Sequence, residues 1–158
     1  MKVIRELLNK ELIFFENADN KEEILRKMGR KLLENGLVKE GFIESIVKRE
    51  EKYPTGIDLS VVGEDLPNVA VPHSEPEYSN CKKLVVVKLE KDIKFNNMID
   101  PSKELKVKYL FFILNNEKSN QTNILSHLMS FLTQESKMKG LENLKTKDEV
   151  YQYLISNK

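Results

Sequence analysis

A single-domain layered α/β fold, with a mixed central β-sheet flanked by helices, is the class this sequence predicts, and three observations predict it. Apolar residues recur at helical spacing in the first third of the chain and again beyond residue 119. Between those stretches lie short β-branched and aromatic runs, each bounded by turn residues. Helices interspersed with strands in one chain are packed most simply as layers on a sheet, with functional loops at the strand ends. The 158 residues, taken as one domain spanning 1–158, are enough to bury roughly 70% of the unfolded chain's surface.

Taken in order, Met1 to Asn9 reads as a short amphipathic helix and Leu12-Ile13-Phe14-Phe15 as a brief strand. Asn20 followed by Glu23 has the form of an N-cap with a carboxylate three residues on. Ile24, Leu25, Met28, Leu32 and Leu33 then keep helical spacing up to Gly36. A second helix is expected over Glu40 to Lys52 through Phe42, Ile43, Ile46 and Val47, closed by Pro54 because the residue before a proline avoids helical geometry. Val69 to Val71, Leu84 to Leu89 and Val107 to Leu114 read as strands, mostly central. Ser119 to Gln134 returns to helical spacing, and Thr146 with Glu149 caps a last helix carrying Val150, Tyr151 and Leu154.

Composition excludes several classes of function. Lys plus Arg total 26 against 25 Asp plus Glu, so no net field favours nucleic acid or anionic lipid. No stretch approaches the roughly 18 consecutive apolar residues of a membrane helix, and direct membrane insertion is not expected. A lone Cys81 rules out an internal disulfide framework and is expected to pack as a small hydrophobe. Charges interrupt every apolar run in the first twenty residues, which leaves no signal-peptide core, so the expected location is cytoplasmic. Two histidines far apart in sequence, with no Cys/His cluster, argue against a metal site, and no organic cofactor is implied.

The most informative segment joins Tyr53-Pro54-Thr55-Gly56 to Val69-Ala70-Val71-Pro72-His73, where a proline breaks an apolar strand and displays a histidine at its end. Imidazole, with an ordinary pKa of about 6.5, is substantially neutral and nucleophilic near neutral pH, so His73 is suited to accept a phosphoryl group. Phosphoryl transfer demands little covalent chemistry of a protein beyond a nucleophile, an in-line approach and nearby donors. Arg49, Thr55, His127 and the amides around His73 and Ser74 are the candidate donors. Each has a plainer reading. His73 is otherwise a loop histidine, Arg49 a salt-bridge partner of Glu50, Glu51 or Asp58, and His127 an ordinary helix-surface residue.

These segments, with Arg49-Glu50 ahead of them, resemble enzyme IIA of the bacterial sugar phosphotransferase system, in its fructose/mannitol class and nearest its galactitol-like branch. The resemblance implies a relay in which the phosphocarrier HPr phosphorylates His73. The group then passes to a cysteine of a cognate enzyme IIB, which serves the membrane enzyme IIC. It also implies phosphorylation at Nε2, charge stabilisation by Arg49, possible support from Thr55 and an orienting role for His127. A regulatory protein whose partner binding depends on the phosphorylation of His73 is the alternative. The class usually has a Gly-Asn/Glu-Gly-Ile stretch before the strand, whereas this chain has Gly63-Glu64-Asp65-Leu66-Pro67-Asn68, so its phosphate-facing loop is expected to differ. Glu75 and Glu77 just after the histidine are expected to face solvent or a partner and to tune His73 upward in pKa.

Overall fold

In a computed structural model, which describes residues 2–118 and 121–156, five strands form one mixed sheet in the order β1-β4-β5-β3-β2. The strands are β1 (Ile13–Glu16), β2 (Gly56–Ile57), β3 (Asn68–Ala70), β4 (Lys83–Asn96) and β5 (Glu104–Leu114). Around them pack α1 (Lys2–Leu7), α2 (Lys21–Glu34), α3 (Phe42–Lys52), α4 (Gln121–Leu132), α5 (Glu135–Glu142) and α6 (Lys147–Ser156). Met1 and Ser119, which open two of the expected helices, lie outside the described residues. The pairs β1/β4 and β3/β5 are parallel, and β4/β5 and β2/β3 antiparallel.

Side-chain alternation along the strands divides the core into two halves, one on each face of the sheet. Val69, Val71, Phe111 and Ile113 point to one face, where Ile124 and Leu128 of α4 and Leu154 of α6 cover them. Ala70, Leu110, Phe112 and Leu114 point to the other, beneath Met28 of α2 and Phe42 and Ile46 of α3. Both capping signals are formed. The Asn20 side chain accepts from the Glu23 N–H at 2.9 Å, and Thr146 and Glu149 exchange reciprocal bonds, each 3.1 Å.

The structure adds three things to the expected elements. The fourth strand continues past Leu89 to Asn96, because a register shift between Lys88 and Ile93 absorbs the charged Glu90-Lys91-Asp92 and lets Ile93 and Phe95 re-enter the core. A short helix, α5, buries Met138 and Leu141. Finally, β2 pairs Gly56 with Ala70 and Ile57 with Val69, so the Pro-Thr-Gly segment is itself the sheet edge beside β3. In the departing loop, Asn68 accepts the Leu59 N–H at 2.9 Å and so clasps the turn through Leu59–Val61.

Candidate functional site

Pro72 lacks an N–H but keeps a carbonyl, which accepts the Ile113 N–H at 3.1 Å; this prolongs the β3/β5 pairing to an isolated bridge between His73 and Ile113. Alternation from Val69 and Val71 assigns His73 to the face that α4 covers. The imidazole is half-buried, and its Nδ1 lies 2.8 Å from the Val71 carbonyl oxygen. A carbonyl only accepts, so Nδ1 carries the proton, and in the neutral ring the free lone pair is on Nε2. Burial pushes the His73 pKa below its ordinary value. The Val71 carbonyl opposes that, Arg49 adds to it, and Glu75 opposes it more weakly. Glu75 does pull upward, as expected, but desolvation outweighs it and the net direction is downward.

The last turns of α3 deliver Arg49. Its Nη1 donates to Glu75, its guanidinium lies 5.6 Å from the centre of the Tyr53 ring, and its Nε is buried without a hydrogen-bond partner among the described residues. Arg49 thus ion-pairs with a residue two positions beyond His73 rather than with Glu50, Glu51 or Asp58. Ser74 faces the other way, its hydroxyl 2.6 Å from that of Ser45, which fixes the segment between His73 and Glu75 against α3. Beside these residues is an open cavity of about 460 Å³ lined by Lys48, Arg49, Lys52, Tyr53, Glu75 and Glu77. Glu44 lines it as well, so three cations stand alongside three carboxylates there, and His73 is not among the lining residues.

Thr55 is buried, and its hydroxyl donates to Glu50 Oε1 at 2.8 Å while its N–H donates to Glu50 Oε2 at 2.7 Å. Its carbonyl accepts the Val71 N–H at 3.2 Å, one residue pair beyond β2/β3. Thr55 therefore meets the histidine segment through its backbone. His127 stands half-buried on α4 between the core residues Ile124 and Leu128, over the face to which His73 belongs, and no hydrogen bond or ion pair involves it among the described residues. Cys81 is half-buried with its sulfur 3.6 Å from the Leu37 carbonyl.

Sequence reasoning missed Glu50 and gave Glu75 to solvent or a partner. Glu50 was readable, because it falls in phase with Phe42 and Ile46 on the buried stripe of α3 where an apolar residue belongs. The Arg49–Glu75 pair joins distant segments and has no local signature. Among the described residues, no group of three or more His, Cys, Asp or Glu is placed to hold a metal ion, and no helix is long and apolar enough to cross a membrane.

Comparison with known proteins shows the family and the fold. Residues 6–157 match the family described as phosphoenolpyruvate-dependent sugar phosphotransferase system, EIIA 2. A mannitol-specific EIICBA component of the same system from Buchnera aphidicola is 28% identical over 155 residues, covering 96% of this chain and 22% of that protein. A probable licABCH operon regulator from Bacillus subtilis is 36% identical over 72 residues, 45% of this chain and 11% of that protein. The chain therefore spans about a fifth of the length of one relative, and its match about a tenth of the other. The fold is similar to that of enzyme IIA in the complex of mannitol enzyme IIA with phosphorylated enzyme IIB from Escherichia coli, with TM-score 0.73, 23% identity, and 95% and 98% of the two chains covered. It is similar also to the nitrogen regulatory protein IIA-Ntr from Neisseria meningitidis, with TM-score 0.69, 19% identity, and 96% and 99% covered. With nearly its whole length matched, the chain belongs to the EIIA 2 family of the phosphoenolpyruvate-dependent sugar phosphotransferase system, whose members are phosphotransferase components.

Proposed function

We propose that this chain acts in the cytoplasm, as one domain, carrying a phosphoryl group on His73 between HPr and the cysteine of a cognate enzyme IIB. The observation that carries the reading is the 2.8 Å contact of His73 Nδ1 with the Val71 carbonyl, which leaves the Nε2 lone pair as the nucleophile. Nε2 attacks phosphorus as the N–P bond of phospho-HPr breaks. In the second half-reaction the enzyme IIB thiolate attacks, an S–P bond forms and the Nε2–P bond breaks, so the imidazole returns to its starting state.

Arg49 supplies the charge. Its pair with Glu75 is partly exposed, so the guanidinium can exchange a carboxylate for phosphoryl oxygens at small cost, and the unpartnered Nε is a further donor. His127 orients the group from the α4 side, and Thr55 supports the histidine segment from the adjoining sheet edge. The substrate of the whole system is a sugar or polyol of the galactitol-like kind, a reading that rests on Tyr53-Pro54-Thr55-Gly56 following Arg49-Glu50. Enzyme IIC enters only through enzyme IIB.

A second reading, a regulator whose partner binding follows the phosphorylation of His73, is favoured by the match to the probable operon regulator. One experiment separates them. The protein, charged by phosphoenolpyruvate, enzyme I and HPr, is chased with purified enzyme IIB proteins of the galactitol and mannitol types. Rapid loss of phosphate to an enzyme IIB cysteine supports the carrier, while a stable phosphoprotein that no enzyme IIB discharges supports the regulator.

A further inference from the structure

Glu50 is only 2% exposed, on the helix stripe that otherwise carries Phe42, Ile46 and Val47, and burying a carboxylate there is costly unless its oxygens are satisfied. Both are satisfied by one residue, since Thr55 donates its N–H to one oxygen at 2.7 Å and its hydroxyl to the other at 2.8 Å. From Thr55 the connection continues without a gap. The Thr55 carbonyl accepts the Val71 N–H at 3.2 Å, and the Val71 carbonyl accepts from His73 Nδ1 at 2.8 Å. A helix that needed only packing at this position would carry an aliphatic residue. A carboxylate instead fixes both the rotation and the depth of the Thr55 backbone, on which Val71 registers.

We infer that Glu50 is a positioning residue for His73, acting through Thr55 and Val71 to hold the imidazole in the Nδ1–H tautomer with Nε2 free for the phosphoryl group. The inference rests on the reading of His73 as phosphoryl acceptor for its consequence, but the tautomer itself is a property of the unphosphorylated protein. The link is positional: Thr55 and Val71 each receive through one peptide group and pass on through the next, so displacement of Thr55 moves the Val71 carbonyl away from Nδ1. Burial also raises the Glu50 pKa, and the two Thr55 bonds pull it back, so the carboxylate depends on the residue it holds.

The test is nitrogen NMR of the whole chain labelled with ¹⁵N-histidine, with the His73 resonances identified by their absence in His73→Ala, together with the rate of phosphoryl acceptance from HPr. Glu50→Leu, which keeps bulk and removes both acceptors, is expected to give a mixed His73 tautomer and acceptance slower by about 10- to 100-fold, the range that small misplacements of a reacting group produce. Glu50→Gln, which still accepts from the Thr55 N–H and can donate to its hydroxyl, is expected to keep the wild-type tautomer, as is Thr55→Ser. Should Glu50→Leu not fold, Thr55→Val against Thr55→Ser decides, with Thr55→Val expected to be intermediate. Folded Glu50→Leu or Thr55→Val protein with the wild-type tautomer and only a lower melting temperature overturns the inference. A wild type that HPr never charges, but whose tautomer changes in Glu50→Leu, overturns the carrier reading and leaves the positioning in place.

Discussion

At the scale of single residues, the proposed chemistry depends on a neutral His73 and a cation that can change partners. Burial lowers the His73 pKa from 6.5, so the unfolded chain binds more protons between the folded value and 6.5. Stability contributed by this residue is therefore present above pH 6.5 and is lost as pH falls through the folded pKa. An NMR titration of the ring is expected to show a midpoint below 6.5, and a midpoint above it would mean that the Val71 carbonyl and Glu75 together outweigh desolvation and Arg49. Arg49→Ala is expected to slow phosphoryl acceptance by about 100-fold, the loss typical of removing one well-placed donor from a developing charge, at little cost in stability. Lost stability with an unchanged rate would reduce Arg49 to the ion pair with Glu75. Glu75→Gln frees the guanidinium and is expected to speed acceptance by no more than about fivefold, the worth of a partly exposed pair, in the same stopped-flow assay.

At the scale of elements, β2 and α4 make the sharpest statements. A Cβ on Gly56 would lie 2.5 Å from the Asn96 carbonyl oxygen, where the end of β4 crosses β2, so Gly56→Ala is expected to cost about 1–3 kcal/mol in chemical denaturation. On α4, His127→Ala is expected to slow transfer without abolishing it, and an unchanged rate in the same assay would assign His127 to the helix surface. These elements also mark where the sequence was legible. Caps at Asn20 and Thr146 and the helical stripes of α2 and α3 are local signals and were readable, as was the histidine at a proline-broken strand end. The far half of β4 was not, because Glu90-Lys91-Asp92 ends an apolar run on paper, while in the sheet a register shift removes it from the ladder. Two-residue β2 is too short to have a period, and its pairing is decided by β3. The Glu50–Thr55 clasp was partly legible as a carboxylate in an apolar phase, whereas Arg49–Glu75 depends on two segments that only the fold brings together.

At the scale of the molecule, one sheet with a core on each face carries the histidine at the end of β3 with β5 as its neighbour. The α3 side provides Arg49 and Glu75, the α4 side provides His127, and the sheet edge provides Thr55 on Glu50. With a formal charge of +1, the chain has no strong overall field, so in the proposed relay partner choice would fall to the surface around His73. Phosphorylation there would add about two negative charges to that small area, enough to alter its complementarity with donor and acceptor. The most direct measurement of this account is intact-mass analysis after incubation with phosphoenolpyruvate, enzyme I and HPr, with His73→Ala alongside the wild type. The account predicts one acid-labile phosphoryl group on the wild type and none on the variant. A labelled His73→Ala protein would place the acceptor elsewhere, and an unlabelled wild type would contradict the carrier function itself.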